Sequence, residues 1–216
     1  MARRREGSKI KTYINVEVRD KNGNLKLSRR EEGHSWTLNF AQVLRAMMYG
    51  NYVDSVWINI IGTDGKEYFT DICDLDDKQQ IVGIMGLRSG DGDDSWGMVI
   101  GTNNTSEDPA DHNIKSKIPN SKVHYGSTLV SGDVTVSTTG GLNQLSFKVW
   151  RSFVNQSGED VTVYEVGLIA KYKGLKWGGG IQEFNYLIYR HVFSNGIKIA
   201  DGDILTIAIE IVISLS

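Results

Sequence analysis

The sequence predicts an all-β fold: an antiparallel β-sandwich, jelly-roll-like, with one amphipathic helix. Three observations predict it. Apolar and polar residues alternate with period two along most of the chain, turn residues interrupt those runs at short intervals, and only one stretch carries a helical apolar stripe. Each strand then has one apolar face to bury, and two sheets stacked face to face bury it.

The elements follow in order. Ile14, Val16 and Val18 face away from Lys11, Asn15, Glu17 and Arg19, and Lys21-Asn22-Gly23-Asn24 turns the chain. Trp36, Phe40, Val43, Leu44 and Met47 fall at i, i+4, i+7, i+8 and i+11, so a helix is expected over about 36–49, with Ser35 as N-cap and Gly50 as its stop. Met47 and Met48 read as core filling. Strands are expected at about 53–61 and 66–71, flanking Thr63-Asp64-Gly65-Lys66, then at 96–101, 122–137, 161–172 and 183–193. Leu145, Phe147, Val149 and Phe153 alternate with Ser146, Lys148 and Ser152. Near the C-terminus Leu205, Ile207, Ile209, Ile211, Ile213 and Leu215 share a face opposite Thr206, Ala208, Glu210 and Ser214. Ser157-Gly158-Glu159-Asp160, Asn195-Gly196 and Asp201-Gly202-Asp203 read as tight hairpin turns. Segments 102–120 and 174–182 lack periodicity and read as long functional loops. The expected organisation is a basic arm over 1–10 and a single sandwich over 11–216.

Composition excludes several classes. A net charge of −2 argues against direct nucleic-acid binding, and the single cysteine excludes a disulfide framework and a thiolate zinc cluster. No apolar run approaches the roughly 18 residues of a membrane span, so a soluble chain without membrane contact is expected. The basic start lacks an apolar core and does not read as a secretory signal.

The chemistry-bearing residues form no familiar constellation. Asp74-Leu75-Asp76-Asp77 and Asp91-Gly92-Asp93-Asp94 offer hard oxygen ligands, but their spacing does not fit an EF-hand loop, and solvated turns are the expectation. His34, His112, His124 and His191 match no zinc motif, and His191 reads as a hydrogen-bonded sheet histidine. Cys73 has no evident histidine partner and reads as an inert thiol. No catalytic residue, cofactor or metal site is expected. An enzyme would need His112 or His124 gathered with Glu107, Asp111 or Cys73.

Contacts with other molecules are expected elsewhere. Arg3, Arg4 and Arg5 concentrate positive charge in the arm, which suits a subunit contact. Trp150 lies on the polar face of its strand, and Trp177 stands beside three glycines; both read as partner-contact residues.

Several blocks occur together in a recognisable order: Gly97-Met98-Val99-Ile100-Gly101-Thr102, then Phe153-Val154-Asn155-Gln156-Ser157-Gly158 with Val163-Tyr164-Glu165-Val166-Gly167-Leu168, then Arg190-His191-Val192 with Ile199-Ala200-Asp201-Gly202-Asp203-Ile204-Leu205-Thr206-Ile207. Over about residues 10–215 this resembles a class of virion structural proteins of tailed viruses of bacteria and archaea. That class carries G-[IV]-V-[IV]-G-T-G, F-x-N-x-[ST]-G, V-x-E-[IV]-G-L and R-[DH]-V blocks; Asn103-Asn104 departs from its usual glycine. The resemblance implies a jelly-roll-like sandwich located in the virion. Such a subunit has no catalytic residues and assembles with copies of itself and with other virion structural proteins, on the capsid or in the tail. The alternative expectation is a recognition module that binds a carbohydrate or host surface through Trp177.

Overall fold

A computed structural model describes residues 9–33, 35–49, 57–71, 85–131, 135–139, 142–176 and 179–215. In chain order its elements are β1 (Lys9–Arg19), β2 (Leu25–Gly33), α1 (Leu38–Tyr49), β3 (Trp57–Ile61), β4 (Glu67–Asp71), β5 (Gly97–Gly101) and β6 (Val123–Tyr125). There follow β7 (Leu129–Val130), β8 (Thr135–Thr139), β9 (Leu142–Asn155), β10 (Val161–Leu175), β11 (Ile181–Ile199) and β12 (Ile204–Leu215). The fold is all-β and antiparallel, with one helix among the described residues. Strand β1 starts at Lys9, inside the stretch assigned to the arm.

One seven-stranded sheet runs β2-β1-β12-β9-β6, with β7 and β8 also pairing on β9. The period-two pattern sets its register. Ile14, Ile209 and Val149 form one row across three strands, and Val18, Leu205 and Phe153 form another, all buried. A slip of one residue would turn every one of these side chains to water, so the pattern specifies the pairing. The second sheet is β11-β10-β5, and β3-β4 form a separate hairpin. Residues from both large sheets belong to one apolar core, which makes the arrangement sandwich-like.

The turns divide into two kinds. Asn22-Gly23 and Asp64-Gly65 close true hairpins, and Gly23 (φ 87°) and Gly65 (φ 76°) take the left-handed conformation these turns require. Ser157–Asp160 and Asp201–Asp203, expected as hairpins, are instead corners: β9 and β12 lie in the large sheet, while β10 and β11 lie in the second. Asn155 builds the first corner. Its Nδ2 donates to the carbonyls of Glu159 (2.7 Å) and Ile199 (3.0 Å), and its Oδ1 accepts from the Ser157 N–H.

Three more expectations are corrected. Asn195-Gly196 is not a hairpin but part of a bulge inside β11, where the register jumps from Glu165↔Val192 to Val163↔Ile197. Segment 174–182 is not a long loop. Strand β10 continues to Leu175, β11 resumes at Ile181, and Lys176 N–H donates to Gly180 O at 2.9 Å. The helix begins at Leu38, two residues later than predicted, because residues 35–37 dock on β11. Trp36 forms a bridge with Tyr189, and the Thr37 N–H donates to Ile188 O. Thr37, not Ser35, therefore caps the helix, with Phe40 N–H 3.5 Å from its Oγ1. Gly50 lies outside the described residues, as do the side chains of Met47 and Met48. Val43 is fully buried, whereas Leu44 is exposed.

Candidate functional site

Segment 102–120 has no strand of its own, yet it is bolted to the second sheet rather than free. Arg190 on β11 carries the bolt and is 1% exposed. Its Nε donates to Glu165 Oε2 on β10 at 2.8 Å, and its Nη1 donates to Asp111 Oδ2 at 2.9 Å. The same guanidinium donates to the carbonyls of Thr105 and Ser106. Glu165, 0% exposed, accepts in turn from the Lys115 and Ser116 N–H groups. Lys115 Nζ closes the chain at 2.6 Å from Asp111 Oδ1. Burial alone would raise the Asp111 pKa, but Lys115, the Asp108 N–H and Arg190 outweigh it and hold the carboxyl below its ordinary value. A buried charge without such partners would cost several kcal/mol (about 3–5).

Backbone shape makes room for this cover. A Cβ on Gly101 would meet Glu165 Oε1 and Ser116 O, and one on Gly167 would meet the Ile114 side chain. Both glycines allow the segment to lie flat on the sheet.

A second arginine, Arg151, is fully buried, and among the described residues no carboxylate pairs with its guanidinium. Its five N–H donors go to five main-chain carbonyls, those of Gly126, Trp96, Met98, Gly90 and Asp93. Burial pulls its pKa down to about 10, which leaves it charged at neutral pH. Its Cζ lies 4.8 Å from the Tyr125 ring centroid. Arg151 thereby organises the 90–98 turn, where the acidic cluster sits. Asp93 bonds Ser95 and Trp96, Asp94 takes Lys117 and the Asn120 N–H, and Asp91 pairs with His124 at 3.1 Å. These carboxylates shape the turn through contacts within it and with Lys117, Asn120 and His124. Among the described residues no group of three or more His, Cys, Asp or Glu side chains is placed to hold a metal ion.

The residues named from sequence are distributed as follows. His191 is a hydrogen-bonded sheet histidine, with Nε2 2.8 Å from Glu31 Oε1. Asp111 pairs with Arg190, Glu107 lies beside His191 and His124 pairs with Asp91, so these side chains are dispersed into separate contacts. Arg3, Arg4, Arg5, Trp177, His34, Cys73 and Asp74–Asp77 lie outside the described residues. Trp150 stands half-buried on the outer face of the large sheet, in a row that runs Asn15, Ala208, Trp150, Leu129. Leu129 is 39% exposed. Around that row Arg30 covers the Tyr13 ring at 4.0 Å and pairs with Glu210 at 3.1 Å. A separate open groove of about 300 Å³ is lined by Thr102, Lys117, Pro119, Lys122, Asp160 and Thr162.

Arg151, Glu165 and Arg190 were missed as a group. Arg151 leaves a visible signal: it occupies the apolar phase between Val149 and Phe153, where a charge is out of place.

No protein-family model, curated protein or solved structure matches this chain. No helix among the described residues is long and apolar enough to cross a membrane.

Proposed function

We propose that this chain is a non-enzymatic structural subunit of a virus particle: a jelly-roll-like sandwich that assembles with copies of itself and with other virion proteins. One observation carries this reading. The buried charged groups Arg151, Arg190, Glu165 and Asp111 are spent on pinning loops to the sandwich, while Trp150 and Leu129 are presented together on the outer sheet face. Pinned loops give a subunit a fixed relief, and a fixed relief is what repeated packing needs. In a symmetric array, modest contacts multiply into a stable assembly. A net charge of −2 keeps self-repulsion between copies small.

Mass spectrometry of virus particles purified from cells carrying this sequence tests the proposal. The chain should be present in many copies per particle. Its absence from purified particles, with the protein found free in the infected cell, would overturn the reading.

A further inference from the structure

Strand β2 is an edge with one side open. Among the described strands it pairs with β1 alone, and residues 27–33 do so without a break in register. The edges of the second sheet are covered along part of their length. On β11 the Arg190 N–H donates to Ser35 O, while Ile188 O and Asn185 O accept from Thr37 and Thr63. On β5 the Ile118 N–H donates to Ile100 O. Strand β2 thus offers its outer main-chain groups to a further strand.

Charged side chains ordinarily keep such an edge from pairing with other chains. On β2 the order of the charges favours one partner instead. Arg29-Arg30-Glu31-Glu32 places two cations before two anions, and an antiparallel second copy runs that order in reverse. A two-fold axis normal to the sheet keeps inner and outer faces continuous and sets one residue opposite its own copy. With Arg30 on the axis, residues 27–33 of the two copies overlap. Arg29 and Glu31 share the face of buried Val16 and Ile14, and there Arg29 stands opposite the partner's Glu31, twice over. On the outer face Arg30 is diagonal to the partner's Glu32, also twice. Opposite charges directly across a ladder have Cβ atoms about 4.5–5.5 Å apart and attract.

One like-charge contact remains, Arg30 against its own copy, and each chain already compensates it. Arg30 Nη2 donates to Glu210 Oε2 at 3.1 Å, and the guanidinium lies over the Tyr13 ring. Arg29 is less well served within its own chain. Its Nε and Nη2 have no hydrogen-bond partner, and Glu31 Oε2 stands 3.6 Å from Nε. An in-register parallel copy would set arginine against arginine and glutamate against glutamate.

We propose that β2 is a self-pairing edge: two copies join antiparallel about a two-fold axis at Arg30, so that the large sheet runs from one copy into the other. This contact rests on the reading that copies of the chain associate, and it names the strand they share.

Paired cysteines test the register on the full chain, with Cys73 replaced by alanine. Ser28 and Glu32 are exposed and lie about 13 Å apart along one strand, too far for a bridge within a chain. In the proposed pairing, Ser28 faces the partner's Glu32. Under oxidation Ser28→Cys/Glu32→Cys should give a covalent dimer at low micromolar concentration, at least about tenfold more than either single cysteine. A double variant that stays uncross-linked, or single variants that cross-link as readily, would overturn the pairing. Charge gives a second readout. Arg29→Glu should weaken association in sedimentation velocity at least about tenfold, and Arg29→Glu/Glu31→Arg should restore it. If circular dichroism shows that Arg29→Glu disturbs the fold, the cysteine result decides. A chain that associates without the 28–32 cross-link rejects the β2 contact and leaves self-assembly standing; a chain that stays monomeric rejects both.

Discussion

Arg190 Nε donates to Glu165 Oε2 across 2.8 Å, and neither side chain is more than 1% exposed. The pair joins neighbouring strands β10 and β11 beneath segment 102–120, whose Asp111 and main-chain carbonyls accept three further hydrogen bonds from the guanidinium. Removing Arg190 leaves Glu165 a buried charge held only by two main-chain N–H groups, and removing Glu165 leaves the buried Arg190 with Asp111 as its remaining carboxylate. Arg190→Met or Glu165→Leu should each destabilise the fold by about 3–5 kcal/mol in urea denaturation. The double variant should lose markedly less than the sum of the two, because it strands neither charge.

Acid should loosen the same segment. Asp111 is held below the ordinary carboxylate value, so the folded state binds its proton less readily than the unfolded chain does. Stability from this source is complete above the unfolded value of 3.8 and is lost as pH falls through the lower folded value. The urea midpoint should therefore drop steeply below about pH 4. Asp111→Asn should be less stable at neutral pH and show a shallower acid slope.

Arg151 should tolerate neither loss of charge nor loss of shape. Arg151→Met leaves buried carbonyls without donors and should lower stability by about 3 kcal/mol or more. Arg151→Lys keeps the charge, but one ammonium with three donors cannot reach carbonyls spread around a planar fork. Thermal unfolding should rank the lysine variant between the wild type and the methionine variant. Equal stability of all three would mean the carbonyl cage contributes nothing.

Ile209 is fully buried between Ile14 and Val149. Ile209→Asp places a charge there without a partner, at a cost of several kcal/mol, roughly the whole stability of a marginal domain. Circular dichroism should show an unfolded chain. A folded variant would mean that the row of β1, β12 and β9 is misassigned.

The large sheet was readable because its residues obey a local rule. One face of β12 is apolar at every second position, β1 and β9 follow it apart from Thr12 and Arg151, and only one register buries it. The corners were not readable, since Asp201-Gly202 has the same turn chemistry whether it joins strands of one sheet or of two. Asn195-Gly196 misled for a related reason: a bulge and a hairpin both need a residue with positive φ. The helix start was displaced because Ser35 and Thr37 are both good caps, and the docking of Trp36 on Tyr189 decided between them. Segment 102–120 looked free because its attachment is made by Glu165 and Arg190, residues more than 40 positions away whose partners no local pattern reveals.

The most direct measurement is sedimentation velocity of the purified chain from low micromolar to hundreds of micromolar, beside the Trp150→Glu variant. The wild type should form an oligomer whose share grows with concentration. The variant, with its circular dichroism unchanged, should shift toward monomer. A wild-type chain that stays monomeric across the whole range would contradict self-assembly, and association unaffected by Trp150→Glu would remove the outer sheet face as its contact.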